Sequence, residues 1–281
     1  MAASFPSSEG WVSFDVPEAG KPVTTYYKII GELSEESIPL IALHGGPGAG
    51  HEYLYPLIDL YEKHKLPIVY YDQIGCAQST HLPEKLGDEE FWSFDLFIRE
   101  LENLIEKLNI REYYVYGSSW GGILAGEYAS RQPRGLKKLV IASGPCDMRL
   151  YSQGVQRLLK QLPDESQKVL EDCEKRNHYE GPEYENACLE FAKRFTCRLD
   201  PFPEDLQKAF VHLQADRTTE LTMYVGHIYT LSKMSLTCLQ GLGHMSFRSS
   251  AHCGIGKDGL RPTTSVSRHC SPTEDMTRPK I

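Results

Sequence analysis

The sequence G-S-S-W-G-G at residues 117–122 constrains the fold of this chain more than any other feature. It lies between an apolar, aromatic run at 113–116, which predicts a strand, and residues 122–131, which predict a helix. Glycines at both ends of G-x-S-x-G allow a turn sharp enough to push the central side chain outward, at the positive end of the helix. The spacing therefore selects Ser119 as a candidate nucleophile, with Ser118 as the competing hydroxyl.

A second glycine motif, H-G-G-P-G at residues 44–48, directly follows the apolar run at 40–43. A serine that attacks a carbonyl needs N–H donors aimed at the developing oxyanion, and losing one donor costs roughly 3 kcal/mol. We expect Gly46 and Trp120, the residue after the candidate nucleophile, to supply these donors. His44 is expected to orient the loop. The alternative, a phosphate-binding loop, lacks the G-K-[ST] ending and the G-x-G-x-x-G spacing.

Strands and helices alternate along the first half of the chain. Residues 11–15 and 24–30 are β-branched and aromatic, as in an antiparallel pair, and the runs at 40–43 and 68–71 fit strands buried on both faces. Apolar residues recur every three to four positions over 91–108, which predicts an amphipathic helix. The order of elements predicts an α/β fold with a mostly parallel sheet and helices on both faces.

Helical patterns separated by prolines dominate from residue 148 to about residue 221. Such an insertion after a sheet strand would lie as a lid above the carboxyl ends of the strands, where α/β proteins bind ligands. The predicted organisation is a core at residues 1–147, a helical lid at 148–223 and an atypical, poorly ordered tail at 224–281.

Composition excludes several classes of function. A net charge of -8, from 30 basic and 38 acidic side chains, argues against sequence-independent binding of nucleic acid. No window of about 18 apolar residues predicts a membrane span, and no signal peptide is expected. The eight cysteines form no C-x-x-C pair, so we expect reduced thiols rather than a zinc site. These features predict a cytoplasmic protein; Pro279-Lys280-Ile281, which has the form of a peroxisomal address, gives the alternative.

A third stretch, D-Q-I-G-C-A-Q-S at residues 72–79, predicts only a turn when taken alone. Together with the two glycine motifs, at this spacing, it makes the chain resemble the proline iminopeptidase family of α/β-hydrolases, including its amino-acid amidases. The resemblance runs from about Trp11 to Met223 and reaches the lid, where residues 195–204 look like that family's helical cap. Ala77 stands where the family usually has glycine.

The resemblance implies hydrolysis of an amide or ester beside a free amino group, by a serine, aspartate and histidine triad without metal or cofactor. By residue match, Ser119 takes the nucleophile's place, and Gly46 and Trp120 those of the oxyanion donors. The expected substrate is a small molecule or short peptide, and such folds also serve as tailoring hydrolases in secondary-metabolite biosynthesis. Esterases and carbon–carbon hydrolases share the scaffold, so the fold does not assign a substrate.

The resemblance stops after Met223. There the family continues with N-G-P-x-E-F, whose glutamate helps bind the substrate amine, then with an N-G-x-x-D acid turn and a late S-H histidine; this chain has none of them. Its last 58 residues carry a charge of +4, from seven basic and three acidic side chains, whereas the first 223 carry -12. The strands that complete the sheet are therefore predicted to be missing, through a shifted reading frame, an altered splice or a decayed copy.

The tail holds few candidates for the acid and the base of a triad. In this fold the acid precedes the histidine, which permits the pairing of Asp258 with His269. His244, followed by methionine, is similar to the family's late S-H-M, but no acid lies between Met223 and it. A serine without its base keeps only weak catalysis. The alternative function is thus an inactive or impaired α/β-hydrolase remnant, or a binding protein.

Overall fold

The computed structural model describes residues 5–176 and 181–225 of the chain. The tail candidates Asp258, His269 and His244, the proposed disorder of the tail, and the terminal tripeptide all lie outside the described residues. Within the described part, no helix is long and apolar enough to cross a membrane.

The described chain forms one six-stranded sheet in the order β1-β2-β4-β3-β5-β6. β1, β2 and β4 pair antiparallel, whereas β4, β3, β5 and β6 pair parallel. This mixed, mostly parallel sheet confirms the predicted α/β fold, including the antiparallel pair at its start. The strands are β1 (Ser7–Phe14), β2 (Val23–Ile30), β3 (Leu40–Leu43), β4 (Ile68–Tyr71), β5 (Tyr113–Ser118) and β6 (Leu136–Ala142).

Eight α-helices are described, three of them following strands of the sheet and five following β6. A 3₁₀ segment at Glu52–Leu57 leads into the first helix, and a π-helical turn at Ala192–Thr196 extends the sixth. The helices are α1 (Ile58–His64), α2 (Phe94–Lys107), α3 (Trp120–Ser130), α4 (Met148–Leu159), α5 (Asp164–Arg176), α6 (Pro182–Phe191), α7 (Glu204–Ala215) and α8 (Thr218–Val225). We call α4–α7 the cap.

The core lies around the central strands. Every residue of β3 and β4 is buried, as the continuous apolar runs predict for strands covered on both faces. Helix α2 packs its apolar face onto this sheet through Leu96, Phe97, Ile98, Leu101 and Leu104. It begins at Phe94, later than the periodicity predicts, because the Ser93 side chain caps it by accepting the Leu96 N–H.

The cap is tied to the core by two histidine–carboxylate bonds at α7. His212 Nε2 donates to Glu52 Oε1 at 2.9 Å, and His81 Nδ1 donates to Asp216 Oδ2 at 2.6 Å. These carboxylates raise the pKa of both histidines, although burial opposes the shift. Beside the first bond, Ala49 packs against Ala209, Phe210 and Leu213 of α7.

Candidate active site

Ser119 occupies a strained turn between β5 and α3. Its backbone has φ 53° and ψ -118°, which a residue with a side chain rarely adopts, and its side chain is exposed. The Ser119 N–H donates to the Ala142 carbonyl at 2.9 Å, which ties the turn to β6. Helix α3 begins directly afterwards, at Trp120, and the Gly122 and Ile123 N–H groups of its first turn donate to the Ser119 carbonyl at 2.9 and 3.2 Å.

Glycines allow this turn to pack against the end of β3. A methyl group at Gly117 would overlap the Gly121 carbonyl, and one at Gly121 would overlap the Leu43 carbonyl. A methyl group at Gly45 would lie 3.1 Å from Ser119 Cβ. The loop after β3 therefore passes directly beside Ser119, and the structure brings the two predicted glycine motifs together.

Tyr53 holds the loop after β3 in place. Gly46 has φ +114°, a conformation that favours glycine. The preceding N–H, that of Gly45, donates to the Tyr53 hydroxyl at 2.7 Å, and this hydroxyl also bonds the Ser118 side chain. Burial raises the pKa of Tyr53 to about 12, so the phenol stays neutral. Tyr53 thus joins the loop to the nucleophile turn.

Gln73 connects the H-G-G-P-G and G-S-S-W-G-G motifs through hydrogen bonds. Its Nε2 donates to the His44 carbonyl at 3.0 Å, its backbone N–H donates to His44 Nε2 at 3.0 Å, and its Oε1 accepts from Trp120 Nε1 at 2.9 Å. Complete burial lowers the pKa of His44, and the neutral ring donates from Nδ1 to the Gly45 carbonyl at 2.8 Å. These contacts match the expected orienting role of His44.

Sequence reasoning missed the part played by Gln73, since residues 72–79 predicted only a turn. Gln73 lies 29 residues from His44 and 47 from Trp120, so no local spacing reveals either contact. Its position was the available indication: a polar residue directly after a buried parallel strand lies at the carboxyl edge of the sheet, where α/β proteins place their sites.

His51, Glu52 and Asp72 form the one group among the described residues whose ligand atoms, within 4.8 Å of one another, have the chemistry for a metal ion. Their hydrogen bonds support another role. His51 Nδ1 donates to Asp72 Oδ1 at 2.8 Å, and the His51 backbone N–H bonds the same oxygen at 3.0 Å. His51 Nε2 accepts from the Tyr55 hydroxyl at 3.0 Å. The pair therefore anchors the loop after β3 to the loop after β4.

Comparison with known proteins agrees with the fold. A sequence model of the alpha/beta hydrolase fold matches residues 38–242. The chain belongs to the α/β-hydrolase family.

Among curated relatives of this α/β-hydrolase, the proline iminopeptidase of Lactobacillus delbrueckii subsp. lactis is 35% identical over 178 residues, or 63% of this chain and 60% of that protein. The proline iminopeptidase of Lactobacillus helveticus is 37% identical over 161 residues, covering 57% of this chain and 53% of its own. The chain thus spans 53% to 60% of the length of these two curated relatives.

Two solved structures share both sequence and fold with the α/β-hydrolase. The crystal structure of VinJ is 36% identical with a TM-score of 0.73, covering 87% of this chain and 76% of its own. The proline iminopeptidase of Mycobacterium smegmatis is 32% identical with a TM-score of 0.68, covering 85% of this chain and 76% of its own.

The described residues of the α/β-hydrolase bring the candidate nucleophile and oxyanion loop together but supply no base. Within residues 5–176 and 181–225, no hydrogen bond joins Ser119 to a histidine. The four histidines with hydrogen bonds in this part, His44, His51, His81 and His212, bond to other groups.

Proposed function

We propose that this α/β-hydrolase is a serine hydrolase that cleaves an amide or ester bond, of the aminopeptidase or amidase type. The observation that carries the proposal is Ser119 itself, an exposed residue in a strained turn, beside a glycine loop so close that a methyl group at Gly45 would lie 3.1 Å from Ser119 Cβ. Strain of this kind persists only where the surrounding structure enforces it, and it concentrates at functional sites.

In the proposed reaction, a histidine base takes the Ser119 Oγ proton as Oγ attacks the carbonyl carbon, and the negative charge moves onto the carbonyl oxygen. The C–N or C–O bond then breaks, the amine or alcohol leaves with that proton, and water hydrolyses the acyl-enzyme to the acid and free Ser119. The backbone N–H groups of Gly46 and Trp120 donate to the carbonyl oxygen, and the positive end of α3 adds to the stabilisation. The proposal leaves two alternatives for the base: His269, oriented by Asp258, or His244. It requires no metal ion and no cofactor.

For the substrate we propose a small molecule or short peptide with a free amino group beside the scissile bond. The support is the 35% and 37% identity to proteins named proline iminopeptidase. A second substrate class within the same proposal is an aminoacyl intermediate of secondary-metabolite biosynthesis, which a tailoring hydrolase would cleave. In both substrate classes the reacting group is a carbonyl beside a free amino group.

A fluorophosphonate probe tests the nucleophile. We expect it to label the purified protein on Ser119 and to lose all labelling in Ser119→Ala. Ser118→Ala is the matched control, because it removes the neighbouring hydroxyl and should still be labelled. Labelling that survives in Ser119→Ala, or a folded protein inert to the probe, would contradict the proposal.

Turnover separates the enzyme from the second candidate, an impaired remnant or a binding protein. That candidate is favoured by one observation, the lack of a histidine bonded to Ser119 among the described residues. The enzyme should release 4-nitroaniline from proline or alanine 4-nitroanilide, and Ser119→Ala should not. Labelling without turnover identifies the remnant.

A further inference from the structure

We propose that Gln73 is a positioning residue that holds the two oxyanion donors at a fixed separation. The inference rests on the proposed function, since it concerns the same site. Gln73 touches neither the nucleophile nor the bond to be cleaved; it acts through His44 and Trp120, which belong to the two motifs that carry the donors.

The contacts of Gln73 are completely enclosed. Gln73 is 1% exposed, His44 0% and Trp120 4%, so water does not replace any bond that is lost. The side-chain amide makes one bond to each motif, at 3.0 Å to the His44 carbonyl and at 2.9 Å from the Trp120 indole. A buried polar group left without its partner costs far more than the same group at the surface.

The partners permit only one orientation of the amide. The indole Nε1 of Trp120 is a donor only, so it must face the Gln73 oxygen, and the His44 carbonyl is an acceptor only, so it must face the Gln73 nitrogen. Rotating the amide by half a turn would oppose like groups at both ends. Gln73 therefore joins a donor to an acceptor, a task that neither glutamate nor leucine performs at neutral pH.

Each bond fixes the backbone next to a proposed donor. The His44 carbonyl is part of the peptide that leads into Gly45, two residues before the Gly46 nitrogen. The Trp120 ring, packed on Phe94 and Phe97 with ring centroids 5.1 and 5.6 Å away, holds the first residue of α3. Because one rigid amide spans both, the separation of the Gly46 and Trp120 N–H groups depends on it.

The test compares three variants through the second-order rate of labelling by a fluorophosphonate and through kcat and KM for a 4-nitroanilide. Gln73→Leu removes both bonds. We expect the labelling rate and kcat to fall by about 10- to 100-fold with little change in KM, since a small misplacement of such donors weakens the transition state rather than substrate binding.

Tyr128→Phe is the matched control. It removes a buried hydroxyl that bonds Tyr113, and it lies on the same helix α3 as Trp120; no hydrogen bond or ring contact among the described residues joins its side chain to either motif. We expect a lower melting temperature with a labelling rate within about twofold of the wild type. If both variants lose stability to a similar extent and only Gln73→Leu loses rate, the loss cannot come from general destabilisation.

Gln73→Glu covers the case in which Gln73→Leu fails to fold. Its carboxylate opposes the His44 carbonyl, whereas the protonated acid can donate to it as the amide does. The ratio of its labelling rate to that of the wild type should therefore rise as pH falls. A ratio that is constant with pH and close to one overturns the inference.

The two proposals fail in different ways. If the wild-type protein is folded but not labelled, the proposed function falls and the role of Gln73 falls with it. If the wild type is labelled and Gln73→Leu, folded, is labelled at the same rate with unchanged kcat, only the positioning role is overturned.

Discussion

The two sides of the nucleophile turn differ sharply. Toward β3 and β4 every strand residue is buried, and the turn lies so close to β3 that a methyl group at Gly121 would overlap the Leu43 carbonyl. Toward β6 the turn bonds the Ala142 carbonyl, but this strand is the outermost of the described sheet, with Val140 49% and Ile141 47% exposed. The nucleophile turn thus lies between a buried side toward β3 and β4, which we call the closed side, and a partly exposed side toward β6, which we call the open side.

The difference shows which part of the site the described residues can complete. The closed side contains the glycine loop and the buried contacts of Gln73. In the family that the chain resembles, the remaining strands, the acid and the histidine come after the cap in the sequence. The described residues therefore complete the closed side of the site.

The largest effect should come from Gly121→Ala on the closed side. The added methyl group would overlap the Leu43 carbonyl, which cannot move without displacing β3, so we expect a loss of about 3 kcal/mol or more in the free energy of unfolding. Gly126→Ala is the control on the same helix. Its methyl group would meet Ile141 Cδ1 at 3.6 Å, an ordinary contact, and helix propensity should stabilise it by about 0.5–1 kcal/mol.

Urea denaturation of both glycine variants checks this prediction. Equal stability of the two would show that the turn does not press on β3, and the contrast between the sides would lose its basis.

A pH effect of intermediate size is expected from Glu100, which supports the closed side. Glu100 is fully buried, and its Oε1 accepts from Thr25 Oγ1 at 2.6 Å and from the Ile74 N–H at 2.8 Å. Burial raises the pKa of this carboxyl to about 8, despite the two bonds. Between the unfolded value of 4.5 and about 8, the folded protein binds the proton and the unfolded chain does not.

Stability contributed by Glu100 is consequently greatest below pH 4.5 and falls with increasing pH, with a downward slope that ends at about pH 8. Glu100→Gln should remove this slope, so its stability relative to the wild type should rise between pH 5 and pH 8. Urea unfolding at both pH values measures it, with the exposed Glu102→Gln as control. Parallel curves for Glu100→Gln and the wild type would rule out a neutral buried acid.

The smallest effect should come from Val140→Thr on the open side. Replacing a methyl group by a hydroxyl at a half-exposed position should change the free energy of unfolding by less than about 0.5 kcal/mol. The same substitution at Val115, which is 0% exposed on β5, should cost about 1–3 kcal/mol. Urea midpoints for the two variants compare them directly; a similar cost at both positions would mean that β6 is covered in solution.

Most of the structure on the closed side could be predicted from the sequence, because it depends on patterns of residues that are neighbours along the chain. The G-x-S-x-G spacing between a strand and a helix places Ser119 where the structure has it, and continuous apolar runs located β3 and β4. Helix α3 begins at Trp120 rather than at the predicted residue 122, since the glycines after Ser119 already adopt helical geometry.

What the sequence did not predict depends on contacts between distant residues. The bonds of Gln73 and the His51–Asp72 pair join segments that are 21 to 47 residues apart, and no pattern within one segment encodes them. The exposure of β6 depends likewise on what lies next to the strand rather than on its own apolar composition.

The bond between His212 and Glu52 has a consequence for protein engineering. Glu52 follows the glycine loop by a few residues, and although burial would raise its pKa, the hydrogen bond from His212 lowers that pKa to about 2. A cap grafted from a relative would leave this carboxylate without its hydrogen-bond partner unless the grafted helix brought one. A chimera should therefore exchange Glu52 and α7 as one unit.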